Sequence, residues 1–540
     1  MKRARRLTAL AAAAVTAVAL LAGCTGGDPE GGTSGGGGGP TPYRDGTLRI
    51  LASSELSDMA PVLAEARKAT GVETVLTWTG TLDAVESVAN GRVDGRYDAV
   101  WLSSNDYLRL DPRAKRRLAS QTPVMTSPVA LGIRPAALER LSWDPEKVTW
   151  SEVHRAVAAE RLTYGMTDPV RSNSGFTALV SVASALSGAQ AALTGADVDR
   201  AVPRLKEFFT GQKLTSGSSG WLAEAYRRRG TVDALVNYES VLHSLNRDAG
   251  TDLTVILPRD GVLTADYPLT LLSAAPAGAK EAGRRLTSWL RTPDAQRRIT
   301  TRTLRRPVTP GVTPAPVLKA GKRRELPFPG TLAVADGLLS SYENVLRRPS
   351  RTVYVLDTSG SMEREDRIGR LRAALTDLTG TGDSAPGRRF RDREEVTLLP
   401  FGSKVKRVDT HVVRPGAADG ALEAIRRDIA ELTPEGNTAV YSSLEAAYEH
   451  LGKGSGDTFT SIVLMTDGEN TQGADAAHFR RFYAELPRER RETPVFAVLF
   501  GDSDRKELSG ITELTGGRLF DATSGGGSLD GAFEEIRGYQ

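Results

Sequence analysis

Cysteine is almost absent from this chain, because Cys24 is the only one in 540 residues. No disulfide can therefore form within the chain, and packing must supply its stability. Histidine is also scarce: the five histidines are scattered, and no two have the i, i+4 spacing of a helical metal site. A GxxxxGK[ST] phosphate loop and a strand–GxSxG–helix elbow are missing as well. These absences exclude the commonest catalytic designs, and we expect a protein that is not an enzyme.

An excess of one charge is also lacking, since 70 basic residues stand against 66 acidic ones for a formal net charge of +4. Basic residues occur in short clusters such as Arg227-Arg228-Arg229, which solvated protein faces explain. We therefore expect no nucleic-acid binding. The length exceeds what one hydrophobic core usually serves, so two or three domains are expected.

The N-terminus carries the longest apolar run of the chain. Residues 2–6 are mostly basic, residues 7–22 are apolar, and Leu21-Ala22-Gly23-Cys24 follows. The apolar stretch is short for a membrane span and suits a signal peptide. Its end resembles the bacterial lipobox, which implies lipidation of Cys24; an ordinary secretory signal or a short anchor is the alternative. We predict a lipoprotein signal peptide over 1–24, a flexible Gly-rich tether over 25–45, and a location on the extracytoplasmic face of the cell membrane.

Two α/β regions are predicted beyond the tether. Strand-like runs alternate with helical patterns over residues 46–325, which indicates mostly parallel sheets, and breaks near 125 and 265 suit a chain that enters a second lobe and returns. Six prolines over 307–329 mark a boundary, and a connecting helix is predicted within 326–350. Residues 351–540 repeat the alternation with continuous apolar strands, as expected when helices cover both faces of a sheet.

Oxygen-bearing side chains follow two of these apolar strands. Residues 352–356 run into Asp357, Ser359 and Ser361, and residues 461–465 run into Asp467. Thr438 lies between them on a glycine-containing loop at a helix start. Ligand sites of open α/β sheets collect at the carboxyl ends of strands, and few carboxylates among hydroxyls suit Mg²⁺. The alternative is a metal-free turn whose side chains bond their own backbone.

These five residues, in this order, resemble the metal-ion-dependent adhesion site of the von Willebrand factor A (vWA) domain family. The resemblance covers about residues 350–540 and implies a doubly wound, mostly parallel, Rossmann-like sheet. It also implies that Asp357, Ser359, Ser361, Thr438 and Asp467 hold Mg²⁺ or Mn²⁺. An acidic side chain of a protein partner would complete the coordination.

The region from about 47 to 310 resembles type II periplasmic solute-binding proteins, which have two lobes. The resemblance lies in residues 50–54, 98–105, 127–133, 168–175 and 237–240. It implies a ligand site between the lobes, formed by Ser53, Ser54, Ser103, Ser104, Asn173, Ser174 and Tyr238. Hydroxyls and backbone N–H groups at the helix start could hold a small solute or an oxyanion. Simple helix caps and turns are the alternative.

Two functions follow as hypotheses. The first is a membrane-anchored interaction protein that binds a protein partner through Mg²⁺, with the solute-binding-like region as sensor or scaffold. The second is a solute- or oxyanion-binding receptor of an ABC-type transporter, in which the vWA region is an accessory.

Overall fold

The computed structural model describes residues 46–321, 323–380, 389–452, 458–499, 505–522 and 529–539. The predicted signal peptide, Cys24 and the predicted tether lie outside these residues. Within them the chain forms three β-sheets connected largely by helices. No helix of the described residues is both long enough and apolar enough to cross a membrane.

Residues 47–272 form two sheets. Their strands are β1 (Thr47–Ser53), β2 (Glu73–Thr79), β3 (Ala99–Trp101), β4 (Leu118–Pro123), β5 (Ser127–Ile133), β6 (Tyr164–Thr167), β7 (Gln212–Ser216), β8 (Ala234–Tyr238), β9 (Thr254–Ile256), β10 (Thr264–Ala265) and β11 (Pro268–Leu272). The first sheet has the order β2-β1-β3-β11-β4, and the second has the order β10-β5-β8-β6-β7 with β9 also paired to β5. The chain thus enters the second sheet after Pro123 and returns to the first after Ala265.

Both of these sheets are mixed, whereas the sequence pattern predicts mostly parallel ones. Strands β1, β2 and β3 are parallel, but β11 runs antiparallel to both β3 and β4. In the second sheet β5 is antiparallel to β8, β9 and β10. The reversed strands flank the two crossings, because a chain that leaves one sheet and comes back re-enters it from the opposite end.

Helices connect and cover these strands. Those of the first region are α1 (Ala60–Thr70), α2 (Thr81–Ala89), α3 (Asp106–Leu110), α4 (Pro112–Lys115), α5 (Pro135–Leu141), α6 (Trp150–Ala158), α7 (Asn173–Ser187), α8 (Gly195–Thr210), α9 (Ser219–Arg229), α10 (Glu239–Ala249), α11 (Ala277–Leu290) and α12 (Pro293–Thr303). Helix α7 is almost wholly buried, and its own side chains are mainly apolar or small hydroxyls on every face. Its first turn lies beside the predicted ligand residues.

The predicted connecting helix is α13 (Leu332–Ser341), continued by one π-helical turn at Tyr342–Leu346. Leu338 and Leu339 are buried, whereas Val345 is 41% exposed. A π turn has more residues per turn than an α-helix, so its side chains shift around the helix axis. This shift accounts for the exposure of Val345, which lies within the π turn. The phenol of Tyr107 donates a 2.6 Å hydrogen bond to Asp336 and so ties α13 to the first lobe.

The third sheet belongs to the C-terminal region and has six strands in the order β14-β13-β12-β15-β16-β17. They are β12 (Ser350–Asp357), β13 (Glu394–Phe401), β14 (Asp409–Val413), β15 (Phe459–Thr466), β16 (Val495–Leu499) and β17 (Leu519–Asp521). All neighbours are parallel except β14 on β13. The helices are α14 (Arg367–Asp377), α15 (Ala418–Ala430), α16 (Val440–Leu451), α17 (Ala476–Glu485), α18 (Arg488–Arg491), α19 (Arg505–Thr515) and α20 (Leu529–Gly538).

Strand β12 is buried on both faces, which explains its continuous apolar sequence. Tyr354 and Leu356 point into one core with Leu371 of α14. Val353 and Val355 point into the other, which holds residues of α16 and α17. Two covered faces leave only the ends of the strand accessible, so polar groups collect where the strand stops.

Candidate metal site and interlobe cleft

Asp357 lies at the carboxyl end of β12, directly beside the end of β15. Its Oδ1 accepts a 2.8 Å hydrogen bond from the backbone N–H of Ser359. Its Oδ2 accepts a 2.6 Å hydrogen bond from the hydroxyl of Thr466, the last residue of β15. The register pairs Leu356 with Met465, so Asp357 and Thr466 come next on adjacent strands. Sheet register therefore fixes the position of this carboxylate.

The two serines and the second aspartate form a connected chain of oxygens. The hydroxyls of Ser359 and Ser361 are 3.0 Å apart, and Ser361 donates a 2.8 Å hydrogen bond to Oδ1 of Asp467. Asp467 directly follows β15, and Asp357 is the last residue of β12. Both aspartates and Ser359 are buried. The structure thus connects four of the five predicted residues through a chain of hydrogen bonds.

Thr438 reaches the same place from a third loop. Gly360 donates a 2.9 Å backbone hydrogen bond to the carbonyl of Gly436, and this bond joins the Thr438 loop to the serine loop. A methyl group built on Gly468 would lie 3.5 Å from Oγ1 of Thr438 and 3.8 Å from Oγ of Ser361. The two hydroxyls therefore flank the same glycine, and all five predicted side chains gather at one edge of the third sheet.

Two further residues belong to this cluster although the sequence did not suggest them. Thr466 bonds Asp357, and Nη1 of Arg367 donates a 2.7 Å hydrogen bond to Oδ2 of Asp467. The arginine side chain is only 4% exposed and that of Asp467 is fully buried. Asp467 thus presents one oxygen to Ser361 and the other to a buried cation.

Burial raises the pKa of the Asp357 carboxyl, although the hydrogen bonds from Thr466 and Ser359 act in the opposite direction. The charge of Asp467 adds to the rise. Two nearby buried carboxylates without a cation between them repel each other, so a divalent cation would relieve that repulsion.

The donor set fits Mg²⁺ or Mn²⁺. It combines two carboxylates with three hydroxyls, all hard oxygens, and offers no sulfur or imidazole. Among the described residues, no group of three or more His, Cys, Asp or Glu side chains is placed to hold a metal ion, so hydroxyls must take part in any site here. Such a set leaves coordination positions for water or for a ligand from another molecule.

The predicted ligand residues of the first region lie where its two lobes meet. The side-chain amide of Asn173, at the start of α7, donates 3.0 Å hydrogen bonds to the hydroxyls of Ser103 and Tyr238. Ser103 belongs to the first lobe, and its backbone N–H bonds the hydroxyl of Ser53 at 3.3 Å. These four side chains are buried and join the lobes directly.

The other three predicted residues have different roles. Ser104 accepts a hydrogen bond from the backbone of Asp106 and so caps the following turn. Ser174 lies within the second lobe, bonded to the hydroxyls of Thr167, Ser172 and Ser219. Ser54 is partly exposed in a 3₁₀ turn. For Ser104 and Ser174, local capping and packing explain the residue type.

Glu55 is the cleft residue that the sequence did not reveal. Its carboxyl hydrogen bonds Ser103, and burial raises its pKa. Arg305 is close by, but it already bonds the carboxylate of Asp58 at 2.6 Å and stacks over the ring of Tyr267 at 4.7 Å. An ionised carboxyl would repel an anion, and the protonated form that burial favours would add no positive charge to attract one, so Glu55 favours an uncharged polar solute over an oxyanion.

A buried charge cluster links the predicted ligand loop, residues 168–175, to the C-terminal region. Arg391 lies 3.3 Å from the carboxylate of Asp168 and 3.3 Å from Glu394. Oε1 of Glu394 also accepts from Arg537 at 2.7 Å and from Arg347 at 3.3 Å. Burial alone would raise the pKa of Glu394, but the three arginines outweigh it and lower that pKa to about 2. We call these five residues the junction cluster.

The backbones also touch at this junction. A methyl group built on Gly538 of α20 would lie 2.5 Å from Cα of Gly217, which follows β7. Arg518 stacks over the ring of Trp221 on α9 at 4.3 Å. The C-terminal region therefore packs directly on the second lobe.

Comparisons with known proteins agree with this division. Residues 48–302 match the family described as bacterial extracellular solute-binding protein, and residues 351–520 match the family described as von Willebrand factor type A domain. The uncharacterized protein sll0103 of Synechocystis sp. is 33% identical over 128 residues, 24% of this chain and 27% of that protein. The uncharacterized protein YfbK of Escherichia coli is 24% identical over 172 residues, 32% of this chain and 27% of that protein. The chain thus spans about a quarter of the length of these relatives.

Solved structures of both kinds are similar to parts of the chain. The periplasmic binding protein P5PA has a TM-score of 0.44 at 13% identity and covers 55% of this chain and 98% of its own. The sulfate-binding protein SubI from Mycobacterium tuberculosis has a TM-score of 0.39 at 18% identity, with coverages of 49% and 88%. The von Willebrand factor type A structure from Catenulispora acidiphila has a TM-score of 0.28 at 18% identity, with coverages of 36% and 42%. The two family matches give the chain a solute-binding-like region followed by a vWA region.

Proposed function

We propose that this chain is a lipid-anchored protein of the extracytoplasmic membrane face whose vWA region binds a protein partner through Mg²⁺. The observation that carries this proposal is the gathering of five oxygen-bearing side chains from three loops at one sheet edge. Ser359, Ser361 and Thr438 would supply hydroxyl oxygens, and Asp357 and Asp467 would supply the negative charge. The anchor would be Cys24.

The metal would supply a positive centre that attracts an acidic side chain of the partner. The two serine hydroxyls and the two carboxylates are fixed by hydrogen bonds and by the sheet register. With Thr438 the protein would offer five oxygens, fewer than the six positions of octahedral Mg²⁺, so the centre would stay incomplete. Ser361 is only partly buried, so a partner can approach from this side. A rigid, unsaturated site of this kind binds by exchanging a water molecule for a carboxylate.

Calorimetric titration of the chain with MgCl₂ tests the metal step. We expect binding at millimolar concentration or tighter, and we expect Asp357→Ala to abolish it because a buried carboxylate is lost from the site. Asp419→Ala is the matched control, since Asp419 is exposed at the start of α15. Absence of binding heat in the unchanged protein, with the fold intact, would remove the proposal.

Partner binding needs its own experiment. The chain is immobilised and exposed to proteins of the extracytoplasmic fraction with Mg²⁺ or with EDTA. We expect to find proteins that are retained with Mg²⁺, lost with EDTA and not retained by Asp357→Ala.

The anchor is tested by Cys24→Ser, which should move the protein from the membrane fraction to the soluble one.

A transport receptor for a small solute is the second candidate, and the direct contact of Asn173 with Ser103 and Tyr238 favours it. These residues come from both lobes, as a site that closes around a solute requires. A solute that binds the folded state must raise the melting temperature. We expect uncharged polar compounds to do so more than oxyanions, and a complete lack of stabilisation across both classes would count against this role.

A further inference from the structure

A cavity of about 810 Å³ lies at the junction between the second lobe and the vWA region. One wall comes from β7 and the end of α9, and the other comes from α16, α17 and the segment 488–494. None of the predicted metal or cleft residues lines it. Its volume falls in the range of about 300–1,000 Å³ that is typical of small-molecule sites. We call it the junction cavity.

The lining of the junction cavity is strongly basic. Seven lysine or arginine side chains face three glutamates. Glu489 and Glu513 are exposed, and Glu492 pairs with Arg488 at 3.2 Å. The acidic residues therefore lie toward solvent, as do Arg228, Arg488 and Arg491, and the lining as a whole keeps a positive charge. A concave surface with this charge concentrates anions.

Arg229 is a partly exposed cation of the cavity lining. Its Nε donates a 2.9 Å hydrogen bond to the carbonyl of Gly516 across the junction. Within the described part of the chain, no carboxylate pairs with its guanidinium. Burial lowers the pKa of this guanidinium. Arg229 is only partly exposed, and a charge in such a place is normally paired, so an anion would supply a partner.

Aromatic side chains form the remaining wall around Arg229. Tyr448 donates a 2.8 Å hydrogen bond to the carbonyl of Thr493, and Tyr483 donates a 2.6 Å hydrogen bond to that of Arg491. Because these hydroxyls are already engaged, the rings are held in place and present carbon faces to the cavity. Such a wall suits the organic part of a ligand better than a second charge.

We propose that the junction cavity binds a small organic phosphate ester, with the phosphate on Arg229 and the organic part against the tyrosines. Guanidinium groups match phosphate oxygens through paired N–H donors. Arg490 and Arg491 lie at the rim and add positive charge for the same group. A ligand held here touches the second lobe and the vWA region at once. This site is independent of the proposed metal-dependent function.

The test uses adenosine 5′-monophosphate, ribose 5-phosphate and inorganic phosphate as probes, with EDTA present and sodium chloride matching the ionic strength. Thermal unfolding and calorimetry of the chain are the measurements. We expect the phosphate esters to raise the melting temperature more than sodium chloride does, and Arg229→Gln to weaken binding at least tenfold. Arg227→Gln is the matched control, because Arg227 is exposed on the same helix and does not line the cavity.

Two results would overturn the proposal. One is stabilisation by the probes no greater than that by sodium chloride. The other is equal affinity in Arg229→Gln and Arg227→Gln. If Arg229→Gln does not fold, the double variant Arg490→Gln/Arg491→Gln decides, because it changes only the rim. We expect it to weaken binding at least threefold, and unchanged affinity in it would also reject the site.

Discussion

The two predicted sites of this molecule are built on opposite electrostatic principles. In the interlobe cleft, neutral groups of Asn173, Ser103 and Tyr238 satisfy one another across two lobes. At the edge of the third sheet, Asp357 and Asp467 lie at the ends of the adjacent strands β12 and β15 and keep charge concentrated there. A site made by joining lobes can close and open, whereas a site at one sheet edge stays assembled. We therefore expect the two lobes of the first region to move relative to each other, and we expect the sheet edge of the vWA region to bind a metal ion.

The junction cluster connects the two regions that carry these sites, and its removal should give the largest effect. Glu394→Gln leaves three buried guanidinium groups without their shared carboxylate. Breaking a buried ion pair costs about 3–5 kcal/mol, so we expect a loss of that size in the free energy of unfolding, measured by urea denaturation at pH 7. Glu395→Gln is the control, because that neighbour pairs with Arg351 and its side chain is 31% exposed.

The pH dependence of Glu394 has a defined sign. Its pKa in the folded state, about 2, lies below the ordinary value of 4.5. The stabilisation is therefore complete above pH 4.5 and is lost as the pH falls from there toward 2. We expect the difference between the unchanged protein and Glu394→Gln to shrink over this interval. A difference that stays constant down to pH 2 would show that the charge of Glu394 is not what stabilises the junction.

Much of the vWA site could be predicted from the sequence because strand ends determine it. An apolar run buried on both faces, followed at once by Asp357 or Asp467, places each carboxylate at the sheet edge. Arg367 could not be predicted, because it lies in a charged stretch that looks solvent-exposed. Glu365 and Asp366 adopt φ values of 50° and 54°, and this left-handed turn directs the chain so that Arg367 points back to Asp467.

The cleft of the first region was harder to predict from the sequence than the vWA site. Its cleft depends on contacts between residues far apart in the chain, such as Asn173 with Ser103, and local pattern carries no information about them. The contact of Asp168 with Arg391 joins residues in different regions, so the local sequence pattern does not predict it either. The mixed sheets have the same origin, since the strand that returns from the second lobe enters in the reverse direction.

Asn173→Ala should have the second-largest effect and should be confined to the first region. It removes two hydrogen bonds across the cleft and leaves the hydroxyls of Ser103 and Tyr238 without that partner. Each bond contributes about 1 kcal/mol, so we expect a loss of about 2 kcal/mol and faster hydrogen exchange in residues 168–175. Asn90→Ala, at an exposed asparagine, is the control. Altered Mg²⁺ affinity in Asn173→Ala would show that the two sites are coupled.

The smallest expected effect concerns Arg367, whose guanidinium occupies one oxygen of Asp467. A buried positive charge beside a divalent cation repels it and competes for the same carboxylate. We expect Arg367→Gln to bind Mg²⁺ about fivefold more tightly, or about 1 kcal/mol, by calorimetry. Arg370→Gln, on the exposed face of the same helix, should leave the affinity unchanged. Weaker binding in Arg367→Gln would mean that the arginine holds Asp467 in place for the metal. The main role of Arg367 would then be to position this carboxylate, and its repulsion of the metal would be secondary.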